Sequence, residues 1–145
     1  MIDQAVEKLK EICASVPLAL KQFSEEELKF KPAPGKWSKK ELLGHLIDSA
    51  TANHQRFVRA QFETPLVFYD QDNWVSVQDY QEEDTELLIS LWESYNLHLA
   101  HVIRHIPHDK LQRTSIGKDG KHHTLKFLIK DYISHLEHHL KQLLQ

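Results

Sequence analysis

The sequence predicts an all-α fold, an antiparallel up-down four-helix bundle with a long loop between the second and third helices. Three observations favour this class. Apolar residues recur at helical spacing in four long segments, and residues that cap helices precede three of them. Glycine and proline are scarce, at 4 and 5 of 145 residues, which disfavours a turn-rich all-β fold. Residues 1–145 are therefore expected to form a single helical domain.

The first two long helices are separated by a break in the helical pattern. Residues 3–22 carry one apolar stripe and are predicted to form the first helix. A capping-box sequence at Ser24 favours a short helical turn, and two prolines and a glycine then interrupt the chain at residues 31–35. A second capping-box sequence begins at Ser38, the predicted N-cap of a helix that continues to about Phe62.

The second half of the chain contains one long connection and two further helices. Residues 63–83 are predicted to be an irregular loop, and loops of this length are often functional. A third helix is expected over residues 84–106, with a capping residue at its start and a proline after its end. An Asp-Gly turn at residues 119–120 is compatible with a short hairpin, and the last helix is expected over residues 124–144.

Composition and charge argue against several classes of partner. The formal net charge is −3, and no basic face of the kind that binds a nucleic-acid duplex is evident, so no nucleic-acid partner is expected. No apolar run approaches the roughly 20 residues of a membrane span, so no membrane partner is expected. No signal peptide is expected from the first residues, and the single cysteine, Cys13, is predicted to lie on an apolar helix face. Both features are typical of a cytoplasmic protein.

Histidine is the unusual residue of this sequence, at 11 of 145 positions. His135 and His139 are four residues apart on the last predicted helix, a spacing that places two imidazoles on one face, where they can share a transition metal. His101 and His105 have the same spacing in the third helix, but neighbouring cations crowd them and no third ligand is evident. Spacing alone leaves a second interpretation open, in which His135 and His139 are boundary residues of an amphipathic helix.

His45 lies in the second predicted helix, roughly 140° from the centre of its apolar stripe. Its neighbours on that side, Ser49, Ala52 and Arg56, are small or polar side chains. Such neighbours suit the wall of a pocket, and they also suit solvent. Periodicity alone therefore predicts that His45 is exposed.

Several short motifs occur in an order that resembles a known family. The motifs are Trp37-Ser38, His45-Leu-Ile-Asp-Ser49, Arg56, Tyr69-Asp-Gln-Asp-Asn-Trp74 and His135-Leu-Glu-His-His-Leu-Lys-Gln142. Each motif is short, but their order and spacing over residues 3–145 resemble the DinB-like family, in its YfiT-like branch of metal-dependent hydrolases.

The resemblance implies a four-helix bundle that is usually a homodimer and holds one divalent transition metal, zinc or nickel, per chain. Carried over by position, the three metal ligands are His45, His135 and His139. Some branches of the family are transferases that act with low-molecular-weight thiols such as bacillithiol, mycothiol or glutathione. The implied substrate is a small molecule in either case.

Three neutral imidazoles leave coordination positions open, which is typical of a catalytic metal site. A metal there can activate water, as in a hydrolase, or bind a thiolate, as in an S-transferase. Asp70 and Asp72 in the long loop are the predicted general bases. Arg56 is a candidate for binding an anionic group of the substrate, and Trp74 is expected to cover the opening of the bundle and contact the substrate.

The sequence leaves further alternatives open. Asp48 and Glu137 are candidates for orienting the imidazoles, although Glu137 lies roughly 160° round its helix from the ligand side. The bundle could also bind metal without turnover. A third alternative is a non-catalytic interaction bundle whose histidines bind no metal.

Overall fold

The computed structural model describes residues 2–145, which contain six helices and one hairpin. The helices are α1 (Ile2–Leu20), α2 (Glu25–Lys29), α3 (Lys39–Arg59), α4 (Gln71–Gln78), α5 (Thr85–Arg104) and α6 (Leu125–Leu143). The strands β1 (Thr114–Ile116) and β2 (His122–Thr124) pair antiparallel. Short 3-10 turns lie at Tyr80–Glu82 and His108–Lys110.

Four long helices, α1, α3, α5 and α6, enclose one hydrophobic core, which confirms the predicted all-α four-helix bundle. Their neighbour relations do not follow chain order. Both α1 and α3 pack against α5 and α6, so α1 lies across the bundle from α3, and α5 lies across it from α6. Such crossings need long connections between consecutive helices, and residues 21–38 and 105–124 provide them.

Local capping starts most helices where the sequence predicts them. Ser24 and Ser38 each accept a hydrogen bond from a backbone N–H of the first turn, and a glutamate in that turn accepts one from the serine N–H. The side chains of Asp84 and Thr124 cap α5 and α6. Helix ends are predicted less well, since α3 stops at Arg59, earlier than expected.

The prediction of an irregular loop over residues 63–83 is wrong in its centre, which α4 and a 3-10 turn occupy. The Asp70 side chain caps α4 by accepting a backbone hydrogen bond at 3.2 Å. Val75 is the buried residue that anchors this short helix to the bundle. A helix of two turns carries no long apolar stripe, so its pattern does not distinguish it from a loop.

A close contact at Gly44 holds the segment after α4 against α3. The Tyr80 ring lies so near that a Cβ built on Gly44 would stand 2.1 Å from a ring carbon. The Tyr80 hydroxyl donates to Asp48 Oδ1 at 2.6 Å, and the Gln78 amide donates to the same oxygen at 2.9 Å. These contacts explain why both Gly44 and Asp48 are buried on a face of α3 that lies outside its apolar stripe.

The hairpin expected at residues 119–120 is confirmed, with Gly120 in the left-handed conformation at φ 79°. Its first strand is tied to the connection after α3. Ser115 Oγ donates to the Pro65 carbonyl at 3.0 Å, and the Ile116 N–H donates to the same oxygen at 2.7 Å. The hairpin therefore forms a fixed wall beside the start of α6.

Cys13 is buried in the core, as its position on an apolar face predicts. Burial raises the pKa of its thiol to about 12, so the reactive thiolate is scarce at neutral pH. Within residues 2–145, no helix combines the length and the apolarity that crossing a bilayer requires.

Gly44→Ala should lower the free energy of unfolding, because overpacking a core costs about 1–3 kcal/mol and the 2.1 Å approach to the Tyr80 ring places this substitution at the upper end of that range. The added methyl group has to displace the Tyr80 ring, whereas the higher helix propensity of alanine opposes the loss by about 1 kcal/mol. Chemical denaturation measures the difference, and Ser90→Ala on the exposed face of α5 is the matched control. Equal stability of Gly44→Ala and wild type would contradict the Tyr80 contact.

Candidate metal centre

The packing of α3 against α6 brings the three predicted ligands together. The ring centroids of His45 and His139 lie 5.1 Å apart, and those of His135 and His139 lie 6.0 Å apart. One imidazole comes from early in α3, and the other two come from one face of α6. The residues that the family resemblance implies as ligands are therefore neighbours in space.

The expectation that His45 is exposed is wrong, because the side chain is only 4% exposed. Helical periodicity assumes one buried face, but α3 packs against α5, α6, α4 and the 3-10 turn at residues 80–82. The Trp37 ring adds a further cover, with its centroid 4.9 Å from that of His45. A residue far from the apolar stripe is thus buried by elements that a single-helix pattern does not include.

The environment keeps His45 and His139 neutral at physiological pH. Burial, followed by the nearby His139 and His135, lowers the pKa of His45 to about 4. Burial also lowers the pKa of His139, against the opposing effect of a hydrogen bond with Gln142. A neutral imidazole is the form that binds a metal, so both rings are ready ligands.

Two of the three imidazoles have a buried nitrogen without a partner. Nδ1 of His45 and Nδ1 of His139 are inaccessible to solvent, and no hydrogen-bonding group in residues 2–145 meets either atom. A buried polar atom left unpaired destabilises the fold by about 1–3 kcal/mol. A metal ion bound at these Nδ1 atoms is one kind of partner that would account for such a pair.

The distances between the rings fit a shared metal, but the ring nitrogens do not point to one common position. Two imidazoles on a tetrahedral zinc, with nitrogens about 2.0–2.1 Å from the metal, have centroids roughly 5 Å apart. The observed 5.1 and 6.0 Å are close to this spacing. No three metal-binding side chains in residues 2–145 are oriented to hold an ion as they stand. Since His135 is exposed, its side chain is free to rotate toward the other two.

The three histidines line a cavity of about 760 Å³ between α3, α6, the connection after α3 and the hairpin. The cavity is large enough for a small molecule. Its polar and aromatic lining comprises His45, Ser49, Asn53, Arg56, Tyr69, Gln71, Ser115, His123, Phe127, Asp131, Tyr132, His135, His138 and His139.

Asp70 and Asp72, the predicted general bases, are not among the residues that line this cavity. The Asp70 carboxylate accepts hydrogen bonds from the backbone and the amide of Asn73, at 3.2 and 2.8 Å, and Asp72 is exposed on α4. The carboxylate that the structure does bring to the cavity is Asp131. It lies one helical turn before His135, and this spacing was the signal available in the sequence.

The two residues considered for orienting the imidazoles have other partners. Asp48 Oδ1 is bound by Tyr80 and Gln78, and Asp48 Oδ2 is buried without a partner in residues 2–145. Glu137 forms an ion pair with Lys8 of α1 at 3.5 Å. Asp48 therefore anchors the segment after α4, and Glu137 links two helices at the surface.

Of the two predicted substrate-binding residues, Arg56 lines the histidine cavity and Trp74 does not. Trp74 lines a separate cavity of about 370 Å³ that also includes Phe68. Tyr69 lies between the two cavities, and its ring centroid is 5.4 Å from that of Trp74. Tyr69 is therefore the aromatic residue of the connection that closes the histidine cavity.

The rival pair on α5, His101 and His105, lies on the exposed surface, with ring centroids 4.3 Å apart. Nδ1 of His105 is hydrogen-bonded to the His101 carbonyl at 2.8 Å. Neither histidine lines the cavity, and neither has a buried nitrogen in need of a partner.

A second cavity of about 750 Å³ lies beside Trp37, against α2 and the C-terminal end of α6. Its walls include the apolar side chains of Phe30 and Leu42, with Lys36 and Lys39 among its charged residues. No histidine lines it. Of these two cavities, the one with the three imidazoles is therefore the candidate metal centre.

Two proteins of related sequence carry similar names. A "putative metal-dependent hydrolase" of Bacillus licheniformis is 26% identical over 125 residues, which are 84% of this chain and 71% of that protein. The "putative metal-dependent hydrolase YfiT" of Bacillus subtilis is 23% identical over 141 residues, 95% of this chain and 79% of that protein.

Solved structures show the same fold. The structure of YfiT from Bacillus subtilis, described as a probable metal-dependent hydrolase with an unusual four-helix bundle topology, matches with a TM-score of 0.87 at 22% identity, covering 98% of this chain and 85% of that one. A mycothiol-dependent maleylpyruvate isomerase matches with a TM-score of 0.78 at 12% identity, covering 97% of this chain and 60% of that one.

A family model described as the DinB superfamily matches residues 9–143, nearly the whole chain. The predicted family resemblance is confirmed, and its relatives include the YfiT-like proteins just described. This protein belongs to the DinB superfamily.

Proposed function

We propose that this protein is a metal-dependent enzyme acting on a small molecule, with one divalent zinc or nickel ion held by His45, His135 and His139. The observation that carries the proposal is the pair of buried imidazole nitrogens without partners, beside a third imidazole and a cavity of about 760 Å³. The names of the two sequence relatives support metal dependence and hydrolysis.

When bound, the metal would supply Lewis acidity, which activates water or a thiol at neutral pH. The cavity side of the three imidazoles is the place where its open positions would face a substrate. Because His45 and His139 stay neutral at physiological pH, metal binding there does not first require loss of a proton.

Asp131 takes over the role of general base that the sequence assigned to Asp70 and Asp72. It is exposed to the cavity one turn from His135, and no hydrogen bond or ion pair from residues 2–145 engages its carboxylate. Tyr69 faces the same space as a neutral phenol, since burial raises the pKa of its hydroxyl to about 12. Asp131 would accept a proton from the attacking group, and Tyr69 would donate a hydrogen bond to the substrate.

A low-molecular-weight-thiol S-transferase is the second candidate function. The fold match to a mycothiol-dependent isomerase favours it, and the cavity is wide enough for a thiol and an acceptor together. The homodimer implied by the family resemblance stays a prediction, and so does the cytoplasmic location indicated by the single cysteine and the N-terminal residues.

Metal binding is tested by isothermal titration of metal-free protein with zinc and with nickel. We expect about one ion per chain for wild type, and a dissociation constant raised at least about 100-fold in His45→Ala and His139→Ala, since each removes a direct ligand. The double variant His101→Ala/His105→Ala is the matched control and should bind like wild type. Binding lost in that control, with both single variants unaffected, would place the metal on α5.

Turnover is tested by screening metal-loaded protein against hydrolysable small molecules and acceptor electrophiles, with and without thiols. On any substrate found, Asp131→Asn should lower kcat by about 10²–10⁴-fold without loss of metal, the usual contribution of a general base. Asp72→Asn is the control on α4 and should retain full activity. Full activity in Asp131→Asn, with the loss of activity in Asp72→Asn instead, would identify Asp72 rather than Asp131 as the general base.

Metal-free protein should lose stability as the pH falls from about 6.5 to about 4. The upper value is the ordinary pKa of histidine, as in the unfolded chain, and the lower value is the pKa of His45 in the folded protein. The unfolded chain binds a proton in this range that the buried imidazole does not, so the loss reaches on the order of 2–3 kcal/mol. Denaturation in EDTA at several pH values measures it. The loss should be smaller in His45→Gln, and an identical pH profile in that variant would contradict the burial of His45.

A further inference from the structure

Arg56 is a half-buried cation without a counter-ion among residues 2–145. Its guanidinium donates to the Val67 carbonyl at 2.9 Å and to Asn53 Oδ1 at 3.3 Å, and both acceptors are neutral. No carboxylate in residues 2–145 lies within ion-pair distance of it. Asp131 acts on it only through space. The neighbouring Arg59, by contrast, forms an ion pair with Glu63 at 2.7 Å.

Placing a charge in such a position is unfavourable unless something compensates it. Burial lowers the pKa of Arg56, but a guanidinium remains charged at neutral pH. Within residues 2–145, two of its five N–H donors have an acceptor. Since Arg56 lines the histidine cavity, the spare donors match a planar or tetrahedral oxyanion in that cavity.

Arg56 and the histidines lie toward opposite ends of the cavity. At 1.5 Å per residue, positions 45 and 56 are roughly 16 Å apart along the axis of α3. The opposite wall runs the other way, since His139 of α6 lies beside His45 and Asp131 acts on Arg56. The cavity is therefore a groove with a histidine end and a cationic end.

Apart from the carboxylate of Asp131, the side chains that line the wall between these ends are uncharged. Ser49 and Asn53 line it on α3, and Leu128 and Tyr132 line it on α6. Tyr132 is buried and is engaged by Asn96, with 2.5 Å between its hydroxyl and the amide oxygen. A ligand that reaches both ends would therefore have a middle segment without a second anionic group, because the Asp131 carboxylate lines the cavity there.

We propose that the substrate is an elongated small molecule whose remote end carries an oxyanion, a carboxylate or a phosphate, bound by Arg56 while its reactive end meets the histidines. The assignment of the reactive end rests on the proposed metal function. The assignment of the oxyanion end rests on Arg56 alone and holds without a metal.

The oxyanion end is tested on metal-free protein, titrated with inorganic phosphate and with acetate at constant ionic strength and followed by thermal denaturation. Phosphate, acetate or both should raise the melting temperature of wild type and of Arg59→Gln relative to chloride. The anion that does so shows whether the site prefers a phosphate or a carboxylate. Arg56→Gln should bind the same anion at least about 10-fold more weakly. Equal stabilisation of Arg56→Gln and wild type would overturn the proposal.

The separation of the two ends is tested on zinc-loaded protein with ω-mercaptocarboxylic acids of increasing chain length and the ω-mercaptoalcohols of equal length. The affinity ratio of acid to alcohol removes the effect of the apolar chain. In wild type and Arg59→Gln, this ratio should reach a maximum at the chain length that spans the groove. In Arg56→Gln, the ratio should not change with chain length. A ratio that is flat in wild type would overturn the two-ended substrate.

Failure of the metal function has a different signature. In that case no mercaptoalcohol binds in a zinc-dependent way, while the anion response of metal-free protein still distinguishes Arg56→Gln from wild type. Arg56→Lys keeps the positive charge but loses the paired N–H donors of the guanidinium. It should therefore bind the anion with an affinity between those of wild type and Arg56→Gln. This variant replaces Arg56→Gln if the latter fails to fold by circular dichroism.

Discussion

The contact between α3 and α6 is the interaction on which the rest of the site depends. It brings His45 within 5.1 Å of His139, ring centroid to ring centroid, and its continuation places Arg56 opposite Asp131. Because both helices are rigid rods, one packing arrangement fixes both ends of the groove at once. The burial that removes His45 from water also keeps it neutral, so the same contact positions the ring and sets the protonation state that metal binding requires.

The connections between helices give this contact its open side. Since α1 lies across the bundle from α3, and α5 across from α6, the two site helices do not follow each other in the chain. Their edges are covered instead by the connection that contains Tyr69 and by the hairpin that contains Ser115. The Tyr80 contact on Gly44 and the hydrogen bonds of Ser115 to Pro65 hold these two covers in place. A cavity rather than packed core is the result.

Sequence reasoning succeeded where the physics is local. Capping at Ser38 and Thr124 depends on hydrogen bonds within one turn, so those helix starts could be predicted. The burial of His45 could not be predicted in this way, because it comes from Trp37 and from elements distant in the chain. The position of Asp131 in the cavity was not predicted, for a different reason. Its spacing from His135 is visible in the sequence, but the acidic residues of the predicted loop after α3 were the candidates for the general base. One of them, Asp70, has a carboxylate that caps α4.

The central claim is that His45, His135 and His139 meet on a single ion. The most direct measurement is a crystal structure of zinc-loaded protein, with the ion located by its anomalous scattering. The account predicts one peak with a nitrogen of each of the three histidines roughly 2.0–2.1 Å away. A peak bound only by the α5 histidines, or an empty site between α3 and α6 at saturating zinc, would contradict it.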